Sequence, residues 1–313
     1  MNRRHFLTRT GALAASGSAL AAGCLVGLDL TSQPARAGGC AGPAPAVQLY
    51  TVRDALLRDL RAAVRELSEI GIVEAELYGL NGPASATLYA LAAREVKKIF
   101  DDNGIRLPIS HVGGDLGDTA AIAEIAGALG IEAVCVALPS EFSGTVDGRF
   151  AMVPAQSRAQ LDRLVEKLDR TGREYRDRGL TFGYHNHHIE FVPVDGIVPY
   201  DYLMANTDPN LVKIELDVGW LATAGADPVE YLRRHTGRVI ACHLKDYDPA
   251  IATDVPQRKL VEPGAGTIDF AAVLAAMSDT GVAHGFIEVD VSDDAMGAVR
   301  RGHAHLQRLK GCA

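Results

Sequence analysis

Residues 181–188 read TFGYHNHH, a short apolar run that leads directly into a cluster of histidines. Runs of this kind recur along the chain, bounded by Gly, Pro or Asp and followed by amphipathic segments of helical length. The predicted strands are Val47–Thr51, Ile72–Leu77, Leu107–His111, Ala133–Ala137, Thr181–Asn186, Val212–Asp217, Val239–Leu244 and Gly285–Val289. Alternation of strands and helices is typical of a parallel sheet, and eight such units suit a closed barrel. The sequence therefore predicts one α/β domain, a single (β/α)8 TIM barrel.

The segments between these strands have the periodicity of amphipathic helices. The predicted helices are Leu56–Ile70, Ala86–Asp102, Thr119–Leu129, Ala155–Arg178, Tyr200–Asn206, Pro228–His235, Phe270–Asp279 and Asp293–Leu309. Several are followed by a glycine just before the next strand, as is typical of helix C-termini. No phosphate-binding glycine fingerprint follows the first strand, which argues against a Rossmann fold.

Composition and charge indicate which class of molecule the protein binds. The chain has 313 residues, 48% of them hydrophobic, and a formal net charge of −8. This is enough apolar sequence for one large core. No block of Lys and Arg lies in the predicted barrel. Nucleic-acid binding needs clustered positive charge, so a small molecule is the expected partner.

The N-terminus resembles an export signal. Residues 2–7 read NRRHFL, an uncharged Ala/Gly/Leu stretch spans residues 11–28, and a small-x-small site ends at Ala37. These features predict a twin-arginine signal over residues 1–37, a spacer at 38–45 and a barrel at 46–313. The protein would then be periplasmic or secreted. A second interpretation reads residues 21–24 as a lipoprotein site, with Cys24 as the lipidated residue, and otherwise no membrane association is expected after signal removal.

Four cysteines follow the predicted cleavage site. Cys135 and Cys242 lie in apolar strand-like runs, where a thiol behaves as a small buried hydrophobe. Cys40 and Cys312 lie at opposite ends of the predicted mature chain. Because barrel termini meet in space, a disulfide between these two is a hypothesis for an oxidising compartment.

Residues typical of metal ligands stand at the ends of four consecutive predicted strands. The strand ends read YHNHH at 184–188, ELD at 215–217, HLKD at 243–246 and EVD at 288–290. The active site of a (β/α)8 barrel lies at this end of the strands. A mixed imidazole and carboxylate set suits Mn, Zn, Co or similar divalent ions. One ligand per strand gives the predicted set His185, Asp217, His243 and Glu288.

Several of these motifs resemble those of a known family. They are VQLYTVRD at 47–54, YHNH at 184–187 with Glu190-Phe191, ELDVGW at 215–220, HLKD at 243–246, PGAGTIDF at 263–270 and IEVD at 287–290. Together they resemble the sugar phosphate isomerase/epimerase family from Val47 to the last helix. The resemblance implies a xylose isomerase-like barrel with one divalent metal ion (Mn, Zn, Co or Mg) and a sugar or polyol as substrate.

Three of the four predicted ligands agree with the resemblance, which implies that Asp217, His243 and Glu288 bind the metal. The epimerase branch places a glutamate on strand five and pairs it with the strand-eight glutamate for acid and base catalysis. Here strand five offers His185 or His187 instead. We therefore expect His187 to be the base, with Glu288 as the second catalytic group.

The expected chemistry is removal of a proton next to a metal-polarised carbonyl by a base whose pKa is near neutral, giving an enediolate-type intermediate. Lys245 is expected to stabilise the developing oxyanion, and Trp220 to stack on a sugar face. Their ordinary structural alternatives are a rim salt bridge and core packing.

Three further polar residues are predicted to bind substrate. Glu76 and His111 end strands two and three and face the same rim. Glu190 follows His187 by three residues and is expected to orient a histidine or bind a hydroxyl.

Three functions fit these residues. The leading prediction is a metal-dependent isomerase or epimerase of a sugar or keto-sugar. The second is a lyase or dehydratase acting on keto-inositols or 3-keto-glycosides. The third is a non-catalytic periplasmic sugar-binding barrel. Assembly into homo-oligomers stays open.

Overall fold

A computed structural model of the chain describes residues 42–81 and 87–311. Eight parallel strands close into a barrel, each paired with its two neighbours in chain order. The strands are β1 Ala46–Gln48, β2 Glu74–Leu80, β3 Ile109–Val112, β4 Ala133–Val136, β5 Thr181–His185, β6 Lys213–Asp217, β7 Val239–Leu244 and β8 His284–Ile287. The predicted barrel is confirmed.

Helices cover the outside of the barrel. Those in the described residues are α1 Arg53–Arg58, α2 Leu60–Ile70, α3 Ala93–Asp102, α4 Thr119–Leu129, α5 Arg158–Arg176, α6 Pro199–Asn206, α7 Val218–Thr223, α8 Pro228–Arg234, α9 Phe270–Thr280 and α10 Ala295–Leu309. Their apolar faces and the outward faces of the strands form one large core. Burial of this surface is the main force that holds the helices on the sheet.

The first predicted strand was too long. β1 ends at Gln48, and residues Leu49–Val52 form a 3-10 helix. The side-chain oxygen of Gln48 accepts the backbone N–H of Tyr50 at 2.9 Å, and this cap turns the chain out of the sheet. The turn carries Tyr50 and Arg53 to the rim of the barrel.

Two predicted helices were also too long. The segment 56–70 is interrupted at Asp59, whose side chain accepts the backbone N–H of Ala62 and starts α2 afresh. The segment 86–102 begins instead at Ala93, after a short hairpin of Thr87–Leu88 and Leu91–Ala92. The side-chain cap of Asp59 interrupts the first segment, and the hairpin occupies the start of the second.

The loops after β4 and β7, at the rim of the barrel, contain short strands that the periodicity did not predict. Ser143–Val146 and Arg149–Met152 form an antiparallel hairpin. Asp246–Tyr247 pairs with Leu260–Val261. Helix α7 was also not predicted and begins directly after β6, because Asp217 caps it by accepting the backbone N–H of Trp220 at 2.8 Å.

A small apolar cluster fills the lower half of the barrel interior. It consists of Ala46, Ile109, Ala133, Cys135, Ala241 and Phe286. Cys135 and Cys242 are buried free thiols, as expected. Polar side chains follow this cluster toward the C-terminal ends of the strands, so the functional site begins where the apolar filling stops.

Some predictions lie outside the described residues: the signal over residues 1–37, the lipidation site Cys24 and the Cys40 to Cys312 pair. Within the described ranges, no helix combines the length and hydrophobicity needed to cross a membrane.

Candidate metal and active site

A cavity of about 280 Å³ opens at the C-terminal ends of the strands. Its charged and polar lining consists of Arg53, His111, His185, His187, Lys245, Gln257, Glu288 and Asp290. Its remaining lining is largely aromatic and apolar and includes Tyr50, Tyr78, Phe150, Met152, Trp220 and Val291. Phe150 is 73% exposed on the hairpin above the opening. The cavity therefore combines a charged group of side chains with an apolar surface.

The four predicted metal ligands lie together at this end of the barrel. Potential ligand atoms of Asp217, His243 and Glu288 lie within 4.8 Å of one another. His243 Nδ1 is 2.5 Å from Glu288 Oε2 and 3.9 Å from Asp217 Oδ2. His185 Nε2 is 3.7 Å from Asp217 Oδ2. His185 is thus adjacent to the group of three through Asp217.

Lys245 contacts the same carboxylates. Its ammonium lies 3.0 Å from Asp217 Oδ2, 2.9 Å from Glu288 Oε2 and 3.1 Å from Asp290 Oδ2. Although burial alone would lower it, the carboxylates of Asp217, Asp290 and Glu288 hold the pKa of Lys245 well above its usual value. Lys245 is therefore a fixed positive charge in the cavity wall and not a base.

The donor set fits a divalent cation. Two carboxylates and two imidazoles in one buried group are ligands that Mn, Zn, Fe and Co accept. Five acidic side chains lie at this end of the barrel, near the ammonium of Lys245 and the guanidinium of Arg53: they are Glu76, Glu215, Asp217, Glu288 and Asp290. Burial lowers the pKa of His185 to about 4, so its imidazole is neutral and able to bind a metal. The four predicted residues would hold the ion.

Two glutamates lie deeper in the barrel, below the predicted ligands. Glu76 Oε2 is 2.6 Å from His243 Nε2. Glu215 Oε2 is 2.6 Å from His111 Nε2 and 3.2 Å from His185 Nδ1. Both glutamates are completely buried and neither lines the cavity. Glu76, predicted to bind substrate, contacts His243 instead.

His187 lines the cavity beside Trp220. Its buried Nδ1 has no hydrogen-bond partner among the described residues. Burial, with the positive charge of Lys245 nearby, holds the pKa of His187 well below its usual value. The imidazole is therefore neutral at pH 7 and is a weaker base than the near-neutral one expected from the sequence. The ring of Trp220 stacks on His188 with centroids 4.7 Å apart, which fixes the indole in the wall. Sugar stacking on Trp220 stays a prediction.

Glu190 is buried away from the cavity lining. One carboxylate oxygen accepts the hydroxyl of Tyr184 at 3.0 Å, and the other accepts the backbone N–H of His187 at 3.0 Å. Of the two roles expected for Glu190, this contact agrees with orienting a histidine, because it holds the backbone of His187. Burial raises the pKa of Glu190 to about 8.

This raised pKa predicts a pH-dependent stability. The carboxyl ionises near 4.5 in the unfolded chain but near 8 in the fold. Folding then takes up a proton between these values, so stability should fall as pH rises from about 5 to 8. Denaturation of wild type and Glu190→Gln across this range should show a smaller loss in the variant, because Glu76 and Asp290, whose pKa values are also raised, still contribute. Glu95→Gln, in the equivalent capping position of α3 on the surface, should behave like wild type.

Asp246 organises the loop that follows β7. Its carboxylate accepts backbone N–H groups from Tyr247, Gly264, Gly266 and Ile268 at 2.8 to 3.0 Å. The glycines of the PGAGTIDF motif are needed here, because a Cβ on Gly266 would lie 2.5 Å from Asp246 Oδ1. The motif is therefore structural.

Replacing Asp246 with alanine should leave four backbone donors, all in partly buried hydrogen bonds, without an acceptor. We expect a loss of about 3 kcal/mol in the free energy of unfolding and faster proteolysis within residues 248–268. Asp248→Ala, which removes one exposed cap to Ala250, is the matched control and should cost under about 1 kcal/mol. Equal losses in the two variants would contradict this role for Asp246.

Sequence reasoning missed two residues of the site. Glu215 and Asp290 each share a strand face with a predicted ligand, Asp217 and Glu288, and only one member of each pair was assigned. In the structure both members face inward. Burial raises the pKa of Asp290 to about 6, although Lys245 opposes this, so Asp290 is a candidate acid in the cavity.

Comparisons with known proteins agree with this architecture. Residues 64–309 match the family described as xylose isomerase-like TIM barrel. An inosose dehydratase from Clostridium botulinum (strain Alaska E43 / Type E3) is 30% identical over 142 residues, which are 42% of this chain and 47% of that protein. The chain spans about half the length of the curated relatives that it matches.

Solved structures show the same fold. A sugar phosphate isomerase/epimerase from Parabacteroides distasonis ATCC 8503 superposes with a TM-score of 0.71 at 21% identity, covering 87% of this chain and 96% of that one. The IolI protein with a bound zinc atom gives a TM-score of 0.63 at 13% identity, covering 84% and 95%.

Proposed function

This chain belongs to the xylose isomerase-like TIM barrel family, and from that premise we propose that it is a metal-dependent enzyme acting on a keto-sugar or keto-polyol. The reaction would begin with removal of a proton from the carbon next to the carbonyl. The observation that carries this proposal is the meeting of Asp217, His243 and Glu288 beside a cavity that also contains a neutral imidazole and a fixed ammonium.

The residues of the cavity have different roles in this reaction. A divalent cation, when bound, would polarise the substrate carbonyl and acidify the neighbouring C–H. We assign His187 as the group that accepts the proton, because its imidazole is neutral and lines the cavity. Lys245 stabilises the negative charge that develops on the substrate oxygen.

We propose β-elimination as the outcome. His187 takes the proton from the carbon next to the carbonyl and returns it to the hydroxide or alkoxide that leaves the next carbon. An α-hydroxy enone remains, which for an inosose converts to the 1,2-diketone. A single base is enough for this reaction, and the chain after strand five supplies one, the imidazole of His187. The inosose dehydratases among the relatives support the same choice.

Isomerisation or epimerisation is the second candidate, because Asp290 lines the same cavity with a pKa of about 6. Such a carboxyl group can return a proton to the substrate. His187 and Asp290 would then replace the pair of glutamates expected from the epimerase branch.

Incubation of the metal-loaded protein with inosose and with a 3-keto-glucoside in D2O, followed by NMR, tests these proposals. Loss of water or aglycone, with either a vinyl signal or the deuterated methylene of the 1,2-diketone formed from the enol, would support elimination. Deuterium at the carbon next to the carbonyl, with loss of neither water nor aglycone, would support the isomerase or epimerase. A protein that binds metal and sugar but changes neither substrate would contradict both and favour the sugar-binding barrel. Export through the twin-arginine route stays a prediction from residues 1–37.

A further inference from the structure

Two carboxylates form a layer directly beneath the predicted metal ligands. We call Glu76 on β2 and Glu215 on β6 the inner layer. Glu215 precedes Asp217 by two residues, so both side chains point into the barrel, with Glu215 one level deeper. Both members are fully buried beneath the cavity and above the apolar cluster.

Each imidazole above this layer turns one nitrogen down and the other up. His243 Nε2 is 2.6 Å from Glu76 and its Nδ1 is 2.5 Å from Glu288. His185 Nδ1 is 3.2 Å from Glu215 and its Nε2 is 3.7 Å from Asp217. The two rings therefore present different nitrogens to the cavity side.

A neutral imidazole has one N–H and one lone pair, and the partner of the N–H decides which nitrogen keeps the lone pair. A carboxylate accepts and cannot donate when ionised. A cation bound at the rim takes the lone pair of the nearer nitrogen, which is Nδ1 of His243 and Nε2 of His185, so the remaining N–H of each ring points to the inner layer. Carboxylates in this position also raise the basicity of a metal-binding imidazole.

We propose that Glu76 and Glu215 are positioning residues that hold His243 and His185 in opposite tautomers. His243 then binds the cation through Nδ1 and His185 through Nε2. This inference rests on the metal site of the proposed function, but not on the reaction or the substrate. It assigns Glu76 a role other than substrate binding and gives Glu215 its first role.

A cation inside the inner layer is the competing arrangement. Ligand atoms of His111, His185, Glu215 and His243 also lie within 4.8 Å of one another. However, the nitrogens of all three histidines converge on one atom, Glu215 Oε2, at 2.6, 3.2 and 3.4 Å. That oxygen fills the space between them, which is the geometry of a shared acceptor.

Long-range 1H–15N spectra of the Zn²⁺-loaded protein, labelled at histidine nitrogens, distinguish the two arrangements. The expected result is Zn²⁺ on Nδ1 of His243 with a proton on Nε2, and the reverse for His185. Zn²⁺ on Nε2 of His243 and Nδ1 of His185 would place the ion in the inner layer and overturn the proposal. This measurement requires no substrate, so failure of turnover does not affect the test of the proposal.

Zinc affinity provides the second test. Glu215→Gln and Glu76→Gln, which keep the shape of the side chain, should each weaken Zn²⁺ binding by about 10- to 100-fold in a competition titration. Glu215→Asp should restore part of the affinity. The matched control is Glu74→Gln, because Glu74 is a buried glutamate at the first residue of β2 that pairs with His284 at 2.8 Å.

Glu74→Gln should lower thermal stability but leave zinc affinity within about twofold of wild type. If Glu215→Gln fails to fold, Glu76→Gln carries the test. Folded Glu76→Gln and Glu215→Gln proteins that bind Zn²⁺ as tightly as the control would overturn the proposal.

Discussion

Replacing Asp217 with asparagine should remove the bound metal ion and lower kcat/KM on the order of a thousandfold or more. Asp217 Oδ2 lies at the centre of the predicted ligand set, within 3.9 Å of both His185 Nε2 and His243 Nδ1. Asparagine keeps the size of the side chain and an oxygen able to cap α7. The substitution therefore removes negative charge at the metal position with little change in shape.

Metal content after dialysis, measured by mass spectrometry, and turnover of the substrate found in D2O are the two readouts. Asp227→Asn is the matched control, because Asp227 caps α8 in the same way, accepting the backbone N–H of Val229 at 2.9 Å on the surface. It should retain metal and activity. Wild-type metal content in Asp217→Asn would remove Asp217 from the ligand set, and full activity after chelation would refute metal dependence.

The barrel was predictable because its signals are local and repeated. Each apolar run is long enough for a strand, and glycines at the ends of α2, α4 and α9 adopt the left-handed conformation that terminates a helix. The errors occur where a single side chain overrides the periodicity. Gln48 ends β1 and Asp59 interrupts a helix, and a short cap of this kind leaves no trace in a hydrophobic pattern.

The site was predictable in part, for a geometric reason. Parallel strands of a barrel deliver their C-terminal residues to one end, so strand order alone brings Asp217, His243 and Glu288 together. The depth of a side chain in the barrel could not be predicted, because alternation along a strand shows which residues share a face but not which of the two reaches the cavity. Glu215 was therefore missed. Glu190 is close to the histidines in sequence, but its side chain is buried in the barrel wall and does not line the cavity.

Lys245 is the residue whose removal should separate binding of metal from catalysis. Its ammonium contacts Asp217 and Glu288 at 3.0 and 2.9 Å, and the same oxygens are predicted to bind the cation. Lys245→Met keeps much of the side-chain volume without the charge. Removal of a competing positive charge should tighten Zn²⁺ binding, by about tenfold or more. Loss of the group that stabilises the oxyanion should lower kcat by about 100- to 1000-fold.

The control is Lys167→Met, since Lys167 forms a partly buried ion pair with Glu141 at 3.2 Å and does not line the cavity. It should leave zinc affinity and kcat close to wild type. A Lys245→Met protein with weaker zinc binding would show that the lysine organises the carboxylates instead of competing for them. Unchanged kcat would remove Lys245 from the reaction. The expected combination, tighter metal and slower turnover, follows because a fixed ammonium opposes a cation in the resting site but attracts the anion formed during the reaction.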